Sequence, residues 1–221
     1  MNDEDLALLD RWCAGDSSAG NTLFKRHFMS IYRFLAHKVE GAGDVDDLVQ
    51  ETFLACVRQR ERFQRQSSFR TYLFAIARNT LCSYWSRISR VARRTEALDF
   101  AEISIASLST SAASRLVRGG DQGRLLDALR ALPLEQQLLL ELHYWEELER
   151  DQLAEVFEIE PATTRSRLSR ARAALRERLT AADLPPRAPA DDDALDRWAR
   201  SLRPSGEELR NTSRAAPTTG E

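Results

Sequence analysis

The stretch LERDQLAEVFEIEPATTRSRLSRARAALRERL, residues 148–179, predicts two helices joined by a short turn at residues 159–161. Pro161 suits the first turn of the second helix, where a backbone N–H has no helical partner and can be absent. One inner stripe of that helix recurs at helical spacing: Thr164, Leu168, Ala171 and Leu175. Arginines occupy much of the remaining surface, with Glu177 as the only acid: Arg165, Arg167, Arg170, Arg172, Arg176 and Arg178.

A basic second helix after a short turn is typical of a helix-turn-helix that binds duplex DNA. Such a helix fits the major groove, where arginine pairs with guanine edges or with phosphates. The alternative is an ordinary helical hairpin with a solvated basic face, because charge alone does not distinguish the two. The turn, the inner stripe and the one-sided arginines together favour DNA binding.

Charge is strongly segregated along the 221 residues, although the net charge is only −2. Residues 1–57 carry five basic and ten acidic side chains, whereas residues 58–94 carry ten basic and one acidic. A further basic block lies within residues 165–178. The near-neutral average therefore does not exclude nucleic acid as a partner.

The residue types that bind metals and perform catalysis do not cluster in this sequence. The three cysteines lie far apart without C-x-x-C spacing, and His27, His37 and His143 do not group with carboxylates. We therefore expect no metal, no cofactor and no enzymatic activity. No signal sequence is evident and no apolar run approaches about 18 residues, which predicts a cytoplasmic protein with reduced thiols.

Four helices are predicted for an N-terminal domain of residues 1–94, at about 3–14, 19–39, 45–62 and 69–89. This number of helices suffices for one small bundle. Asp44 is the expected N-cap of the third helix, and Ser67 or Ser68 that of the fourth. The fourth helix is both basic and dense in aromatic residues.

Helical periodicity fades over residues 95–123, where serine, alanine, threonine and glycine dominate. We interpret this segment as a flexible linker to a second helical domain, residues 124–180, which contains the helix-turn-helix. The predicted fold is all-α, with two small helical domains. Residues 181–221 are expected to be mostly disordered, except for one short helix capped within residues 191–193 that carries Leu195, Trp198 and Leu202 on one face.

Segments in both domains resemble the sigma factors of bacterial RNA polymerase. DLVQETF at residues 47–53 is similar to the D-x-x-Q-E-x-F signature of that family, and FRTYLFAIARN at residues 69–79 to its following, promoter-facing helix. In the second domain, LP, QLAEVF and ATTRSRLSRAR resemble the family's C-terminal DNA-binding domain; they begin at residues 132, 152 and 162. No intervening segment supplies the additional domains of larger sigma factors. The chain therefore resembles the extracytoplasmic-function (ECF) group of the sigma-70 family.

Some positions depart from the family pattern. Tyr72 stands where the family usually has tryptophan, and Ala162 where glycine is frequent. Glu149 stands where serine or threonine commonly caps the first helix of the helix-turn-helix, which predicts a weaker cap. These changes affect the expected promoter preference, and none of them removes an arginine expected to face DNA.

The resemblance implies three contact surfaces and no chemistry. Core RNA polymerase would be bound by Asp47, Gln50 and Glu51, whose spacing places them on or near one helical face. The downstream promoter element would be contacted and opened by Arg65, Arg70, Arg78, Asn79 and Arg87. The upstream element would be contacted by Thr163, Arg165, Ser166, Arg167, Arg170 and Arg172. Among these we expect Arg165, Ser166 and Arg170 to be the principal contacts.

The predicted linker permits two arrangements of the domains. Fully extended, residues 95–123 reach on the order of 100 Å, and as a random coil about 30 Å. Promoter elements two helical turns of DNA apart are separated by roughly 70 Å, which the linker spans when polymerase draws it out. Free in solution, the two domains could instead fold together and cover their DNA-binding faces. Family members are often held inactive by an anti-sigma protein, which is a further candidate partner.

Three other functions compete with this interpretation. A stand-alone regulator of the LuxR type, dimeric on palindromic sites, explains residues 148–179 but leaves residues 47–53 without a role. A DNA-dependent enzyme lacks a supporting constellation of residues. An adaptor that binds polymerase without promoter specificity is the third, and run-off transcription with core polymerase separates all three from a sigma factor.

Overall fold

The computed structural model describes residues 3–36, 38–39, 41–60, 63, 67–93, 99–108, 120–181 and 191–204. Within these ranges the regular structure is helical, apart from an isolated antiparallel bridge between Ser104 and Pro133. The predicted all-α fold is confirmed. The helices are α1 Asp3–Cys13, α2 Ser17–Ala36, α3 Ala42–Gln59, α4 Phe69–Arg93, α5 Ile105–Leu108, α6 Gly120–Arg130, α7 Leu134–Tyr144, α8 Arg150–Phe157, α9 Pro161–Ala181 and α10 Asp192–Ser201.

The N-terminal bundle begins with α1 packed tightly on α2. Asp16 caps α2 by accepting from the backbone N–H groups of Ser18 and Ala19, at 3.0 and 3.2 Å. Its hydrogen bonds, first of all that from Arg11, lower the pKa of Asp16 to about 2. The ring of Trp12 lies against Gly20, where a side chain would have no room.

The start of α3 differs from the sequence-based prediction. The helix begins at Ala42 with Gly41 as its N-cap, so the prediction of Asp44 as the cap is wrong. The Asp44 carboxylate instead accepts from the Tyr84 hydroxyl of α4 at 3.1 Å, a tertiary bond that displaces the local one. Ser68 caps α4 as expected, since its Oγ accepts from the Thr71 N–H at 3.0 Å.

Part of the predicted linker is packed against the C-terminal domain. The N–H of Leu134 donates to the carbonyl of Ile103 at 2.8 Å, and that of Glu135 to the carbonyl of Phe100 at 3.1 Å. Ile105 is buried in the core, and this apolar anchor explains why residues 99–108 are ordered. The first residues of α6 also belong to the predicted linker, whereas residues 94–98 and 109–119 lie outside the described part of the chain.

The helix-turn-helix has the predicted geometry. The chain leaves α8 through Glu158, whose φ of 54° is left-handed, and α9 starts at Pro161. The four residues of the inner stripe are all buried. The cap of α8, expected to be weak, is completed by Gln152, whose Oε1 accepts from the N–H of Glu149 at 2.9 Å.

The short helix predicted near the C-terminus is confirmed as α10. Asp191 is its N-cap and accepts from the N–H of Ala194 at 2.7 Å. Leu195 and Ala199 are fully buried against the C-terminal domain, where the Trp145 indole donates to the Ala199 carbonyl at 3.0 Å. The disorder predicted beyond residue 204, and for residues 182–190, lies outside the described residues.

The two domains are in contact. Helix α4 of the N-terminal domain packs against α8 of the C-terminal domain. Lys38, which follows α2, forms an ion pair with Glu141 of α7, and both side chains are buried. The face of the C-terminal domain that carries α8 therefore lies against the predicted promoter-opening helix.

Candidate functional site

One face of α3 is exposed and carries the three residues predicted to bind polymerase. Asp47, Gln50 and Glu51 are all exposed, and no hydrogen bond or ion pair occupies their side chains within the described ranges. Leu54 continues the stripe one turn further and is 44% exposed, an unusual position for a large apolar side chain. The opposite face of α3 supplies the core with Leu48, Val49, Thr52, Phe53 and Cys56. The helix thus presents a continuous acidic, amide and apolar surface.

The predicted downstream contacts on α4 fall into two groups. Asn79 and Arg87 are exposed, with the Arg87 guanidinium 5.9 Å from the Tyr84 ring. Arg70 and Arg78 instead form ion pairs at 2.8 Å with Glu146 and Glu135 of the other domain. Arg65, the remaining predicted contact, lies outside the described residues.

Glu146 gathers arginines from three parts of the chain, although only 3% of its side chain is exposed. It pairs with Arg33 of α2 at 2.7 Å, with Arg70 of α4 at 2.8 Å and with Arg203, beyond α10, at 3.3 Å. A buried carboxylate requires such partners, because desolvation without them is costly. Through these ion pairs, Glu146 joins α2, α4 and the segment that follows α10.

Glu135, in the first turn of α7, joins the two predicted DNA-binding sets. Its Oε1 accepts from Arg78 of α4 and its Oε2 from Arg167 of α9, each at 2.8 Å. The Arg78 guanidinium also lies 4.9 Å above the Phe157 ring, in cation–π geometry. One arginine predicted to contact the downstream element and one predicted to contact the upstream element therefore bind the same carboxylate.

The outward face of α9 carries the principal upstream candidates. Arg165, Ser166 and Arg170 are exposed, on the side away from the inner stripe or at its edge. Thr163 is half-buried in the first turn, and its carbonyl accepts from the Ser166 hydroxyl at 2.9 Å. Arg170 donates to the Ser166 carbonyl at 3.3 Å, which orients its side chain along the helix surface.

Arg172, the remaining upstream candidate, is held by α10. Its Nε donates to Asp196 at 2.9 Å, and its Nη2 lies 3.1 Å from Nε2 of His143. Burial lowers the pKa of His143, which favours the neutral ring, the form that can accept from Arg172. Only 18% of the Arg172 side chain is exposed, and the structure does not present it on the same surface as Arg170.

The residues that sequence reasoning missed are the carboxylates opposite these arginines: Glu135, Glu141, Glu146, Asp192 and Asp196. Each of them looks like an ordinary solvated acid on an amphipathic helix or loop. Their partners are distant in sequence, up to 113 positions away, so no local pattern connects them.

The described residues include neither a metal-binding cluster nor a membrane-spanning helix. No group of three or more histidine, cysteine, aspartate or glutamate side chains there is arranged to hold a metal ion. No helix among them has the length and apolar character needed to cross a membrane.

Family comparisons match both domains. The family model described as sigma-70 region 2 matches residues 23–91, and the family model described as sigma-70 region 4 matches residues 122–175. The ECF RNA polymerase sigma-E factor of Escherichia coli K12 is 28% identical over 179 residues, which are 77% of this chain and 92% of that protein. The protein of the same name from Haemophilus influenzae is 28% identical over 173 residues, with 76% and 91% covered.

Solved structures share the fold. The sigma factor RpoE from Bartonella quintana, in complex with the anti-sigma factor NepR, aligns with a TM-score of 0.56 at 21% identity, over 74% of this chain and 98% of that one. CnrH, in complex with the cytosolic domain of CnrY, aligns with a TM-score of 0.59 at 23% identity, over 81% and 99%. Together the two matched regions make up more than half of the sequence, in the order and with the separation that the motifs predicted. The chain therefore belongs to the sigma-70 family of RNA polymerase sigma factors, in its extracytoplasmic-function group.

Proposed function

We propose that this chain directs promoter-specific transcription initiation by binding core RNA polymerase through α3 and promoter DNA through α4 and α9. The observation that carries the proposal is the exposed stripe of Asp47, Gln50, Glu51 and Leu54 on a chain that also carries a helix-turn-helix. A stand-alone regulator has no use for that stripe. A sigma factor needs both surfaces, because polymerase supplies the chemistry and the sigma factor supplies the sequence specificity.

The α3 stripe suits a partner surface that is basic with an apolar centre. Its two carboxylates and one amide can accept hydrogen bonds from arginine and lysine, and such charge complementarity speeds and orients association. Leu54 adds an apolar contact of the kind found in the core of protein interfaces. We assign polymerase binding to this stripe as a whole.

Upstream promoter recognition is assigned to the outward face of α9. Arg165, Ser166 and Arg170 are exposed and lie near the N-terminal end of the helix, the part that meets base edges in helix-turn-helix complexes. A bidentate contact between arginine and guanine discriminates by about 1–3 kcal/mol. Arg167 is a candidate for phosphate contact once Glu135 releases it.

Downstream contacts are assigned to the surface of α4. Asn79 and Arg87 are exposed in the closed form, whereas Arg70 and Arg78 become available when Glu146 and Glu135 release them. Arginine side chains follow the backbone of a separated strand, and the preceding loop, which includes Arg65, would hold an unstacked base.

The arrangement of the two domains is proposed to be a closed form of the free protein. Arg70 and Arg78 belong to the predicted downstream set, and each is paired across the domain contact with an acid of the C-terminal domain. DNA phosphates and these carboxylates compete for the same guanidinium groups. Binding to polymerase, which requires widely separated domains, would open the chain and free them.

We also propose that the protein acts in the cytoplasm, catalyses no reaction itself and is held inactive by an anti-sigma protein. The location follows from its partner, since RNA polymerase and promoter DNA are cytoplasmic in bacteria. The partnership is supported by the anti-sigma factor NepR bound to the similar fold from Bartonella quintana.

Run-off transcription with core polymerase tests the proposed function. We expect Glu51→Lys to reduce affinity for core polymerase by on the order of tenfold, because it places a cation in the acidic stripe. We expect Arg165→Ala and Arg170→Ala to leave polymerase binding intact and to reduce initiation at the cognate promoter. Arg178→Ala, an exposed arginine near the end of the same helix, is the matched control.

Two results would contradict the proposal. One is initiation by the Glu51→Lys variant at the level of the unmodified protein. The other is tight and specific binding of promoter duplex by the chain alone, as a dimer on a palindrome, which would indicate the stand-alone regulator.

A further inference from the structure

A row of three arginines runs along one flank of α9, beside the buried inner stripe. Arg165, Arg172 and Arg176 are separated by seven and four residues, so they lie two turns and one turn apart on the same side of the helix. The row extends over about 16 Å of helix axis. Arg165 is exposed and has no ion-pair partner among the described residues, whereas α10 covers the other two.

The acidic residues of α10 match the spacing of the covered arginines. Asp196 binds Arg172 with both carboxylate oxygens, and Asp192, one turn earlier, pairs with Arg176. Within the described ranges, no acid outside α10 forms an ion pair with either arginine. Release of α10 would therefore leave two cations without a counterion.

Apolar contacts fix the position of α10 on this flank. Leu195 and Ala199 are fully buried, and Trp198 and Leu202 pack partly against the core. Two hydrogen bonds reach its C-terminal end, from Trp145 to the Ala199 carbonyl at 3.0 Å and from Gln122 to the Leu202 carbonyl at 3.3 Å. The combined match of charge, spacing and apolar contact makes α10 a specific occupant and not a chance neighbour.

A row of cations on the flank of a recognition helix suits DNA phosphates better than bases. The outward face of such a helix meets base edges in the major groove, while residues beside the buried stripe approach the walls of the groove, where the backbone runs. Arginine binds a phosphate through two parallel N–H groups, in the same way that Arg172 binds Asp196 here. Asp192 and Asp196 thus stand where phosphates would bind.

We propose that Arg172 and Arg176 form a second DNA-binding surface on α9, which continues from Arg165 along this flank and binds the phosphate backbone of duplex DNA, and that α10 is a strap that covers it. The inference rests on the proposed role of α9 in binding the upstream element. With the strap in place, Arg165 is the one arginine of this row that is open to DNA. With the strap released, Arg172 and Arg176 add two phosphate contacts, and the C-terminal domain gains affinity without a change in the bases it contacts.

The test is the salt dependence of duplex binding by the full-length chain, measured by fluorescence anisotropy. Each phosphate contact adds about 0.9 to the slope of log K against log salt. Asp192→Asn/Asp196→Asn removes the covering acids, and Leu195→Asn disrupts the apolar seat of the strap without changing the charge. We expect both to steepen the slope by about 1.8. The control is Asp151→Asn/Asp193→Asn, which removes two exposed acids that have no ion pair within the described ranges.

The arginines themselves provide the decisive comparison. Adding Arg172→Gln/Arg176→Gln to the Asp192→Asn/Asp196→Asn variant should return the slope to that of the unmodified chain. The inference is overturned if neither strap variant steepens the slope, or if the control steepens it equally. Promoter selection by Arg170→Ala in the polymerase complex reports separately on the proposed function of α9, so failure of that function is distinguishable from failure of the strap.

Discussion

Lys38 and Glu141 form an ion pair in the interior between the two domains, with 0% and 2% of their side chains exposed. Burial lowers the pKa of Lys38, and the carboxylate of Glu141 opposes that shift. Gln137 donates to the other oxygen of Glu141 at 2.7 Å, so both carboxylate oxygens have partners. A buried pair of this kind contributes little net stability, because both charges are well solvated once the domains separate. The contact therefore suits an interface that must open.

Replacement of one partner of this pair should open the domains. Lys38→Met leaves the Glu141 carboxylate buried without its cation, which costs about 3–5 kcal/mol. Because separation of the domains would return the Glu141 carboxylate to water, we expect this cost to appear as opening and not as unfolding. Hydrogen exchange of the facing amides of α4 and α8 should accelerate, while exchange in the core of each domain stays slow.

The double variant Lys38→Met/Glu141→Leu is the control, since it removes both charges and leaves an apolar pair. We expect it to restore protection at the interface to near the original level. If the single and double variants open the interface equally, the unpaired charge of Glu141 is not the cause of opening, and the prediction is wrong.

The close contact between α1 and α2 predicts that a larger side chain at Gly20 destabilises the fold. A Cβ at Gly20 would lie 2.7 Å from the Trp12 ring, which is buried against α2. We expect Gly20→Ala to lower the free energy of unfolding by about 1–3 kcal/mol, as overpacking does, and to change the near-ultraviolet signal of tryptophan. Gly43→Ala, where the added group meets nothing within 4 Å, should have no such effect in urea denaturation.

The sequence predicts the elements whose determinants are local. The inner stripe of α9, the start at Pro161, the Ser68 cap and α10 all follow from periodicity or from a neighbour three residues away. The Asp44 prediction fails because a tyrosine 40 positions later takes the carboxylate. Order in residues 99–108 depends on Ile105 entering a core formed by other segments.

The exposure of the α3 stripe follows from the pattern of that one helix. The pairing of Arg70, Arg78 and Arg167 does not, because each of these bonds joins residues at least 32 positions apart. In the sequence alone, these acids and arginines cannot be distinguished from ordinary solvated charges. The pairing of Arg70 and Arg78 depends on how the two domains dock, whereas that of Arg167 depends on how α7 and α9 pack within the C-terminal domain.

Two histidines, the buried His27 and the partly buried His143, should make stability depend on pH. Burial lowers the pKa of His27, although Asp5 opposes the shift, and it also lowers the pKa of His143. The histidines of the unfolded chain bind protons near pH 6.5, whereas those of the folded protein bind them only at lower pH. Their contribution to the free energy of unfolding is therefore fully present above pH 6.5 and is lost as the pH falls below it. From pH 7.5 to 5.5 we expect the free energy of unfolding to fall, with each histidine contributing at most about 1.4 kcal/mol per pH unit.

Urea denaturation at several pH values measures this dependence. The variant His27→Gln/His143→Gln should show a flatter dependence on pH, whatever its absolute stability. An unchanged slope in that variant would assign the effect to other groups.

Glu135 offers the most direct test of the link between closure and DNA binding. Its two oxygens hold Arg78 and Arg167, whose side chains are 15% and 37% exposed. Glu135→Gln removes the charge that competes with DNA phosphates for both guanidinium groups. We expect the free chain to bind duplex DNA on the order of tenfold more tightly, about 1.4 kcal/mol, in anisotropy measurements at fixed salt. In the proposed open form bound to polymerase, Arg78 is already free of Glu135, so promoter binding there should change less, through Arg167 alone. Glu102→Gln removes an exposed carboxylate without an ion pair in the described structure, and an equal gain from it would show that net charge alone is responsible.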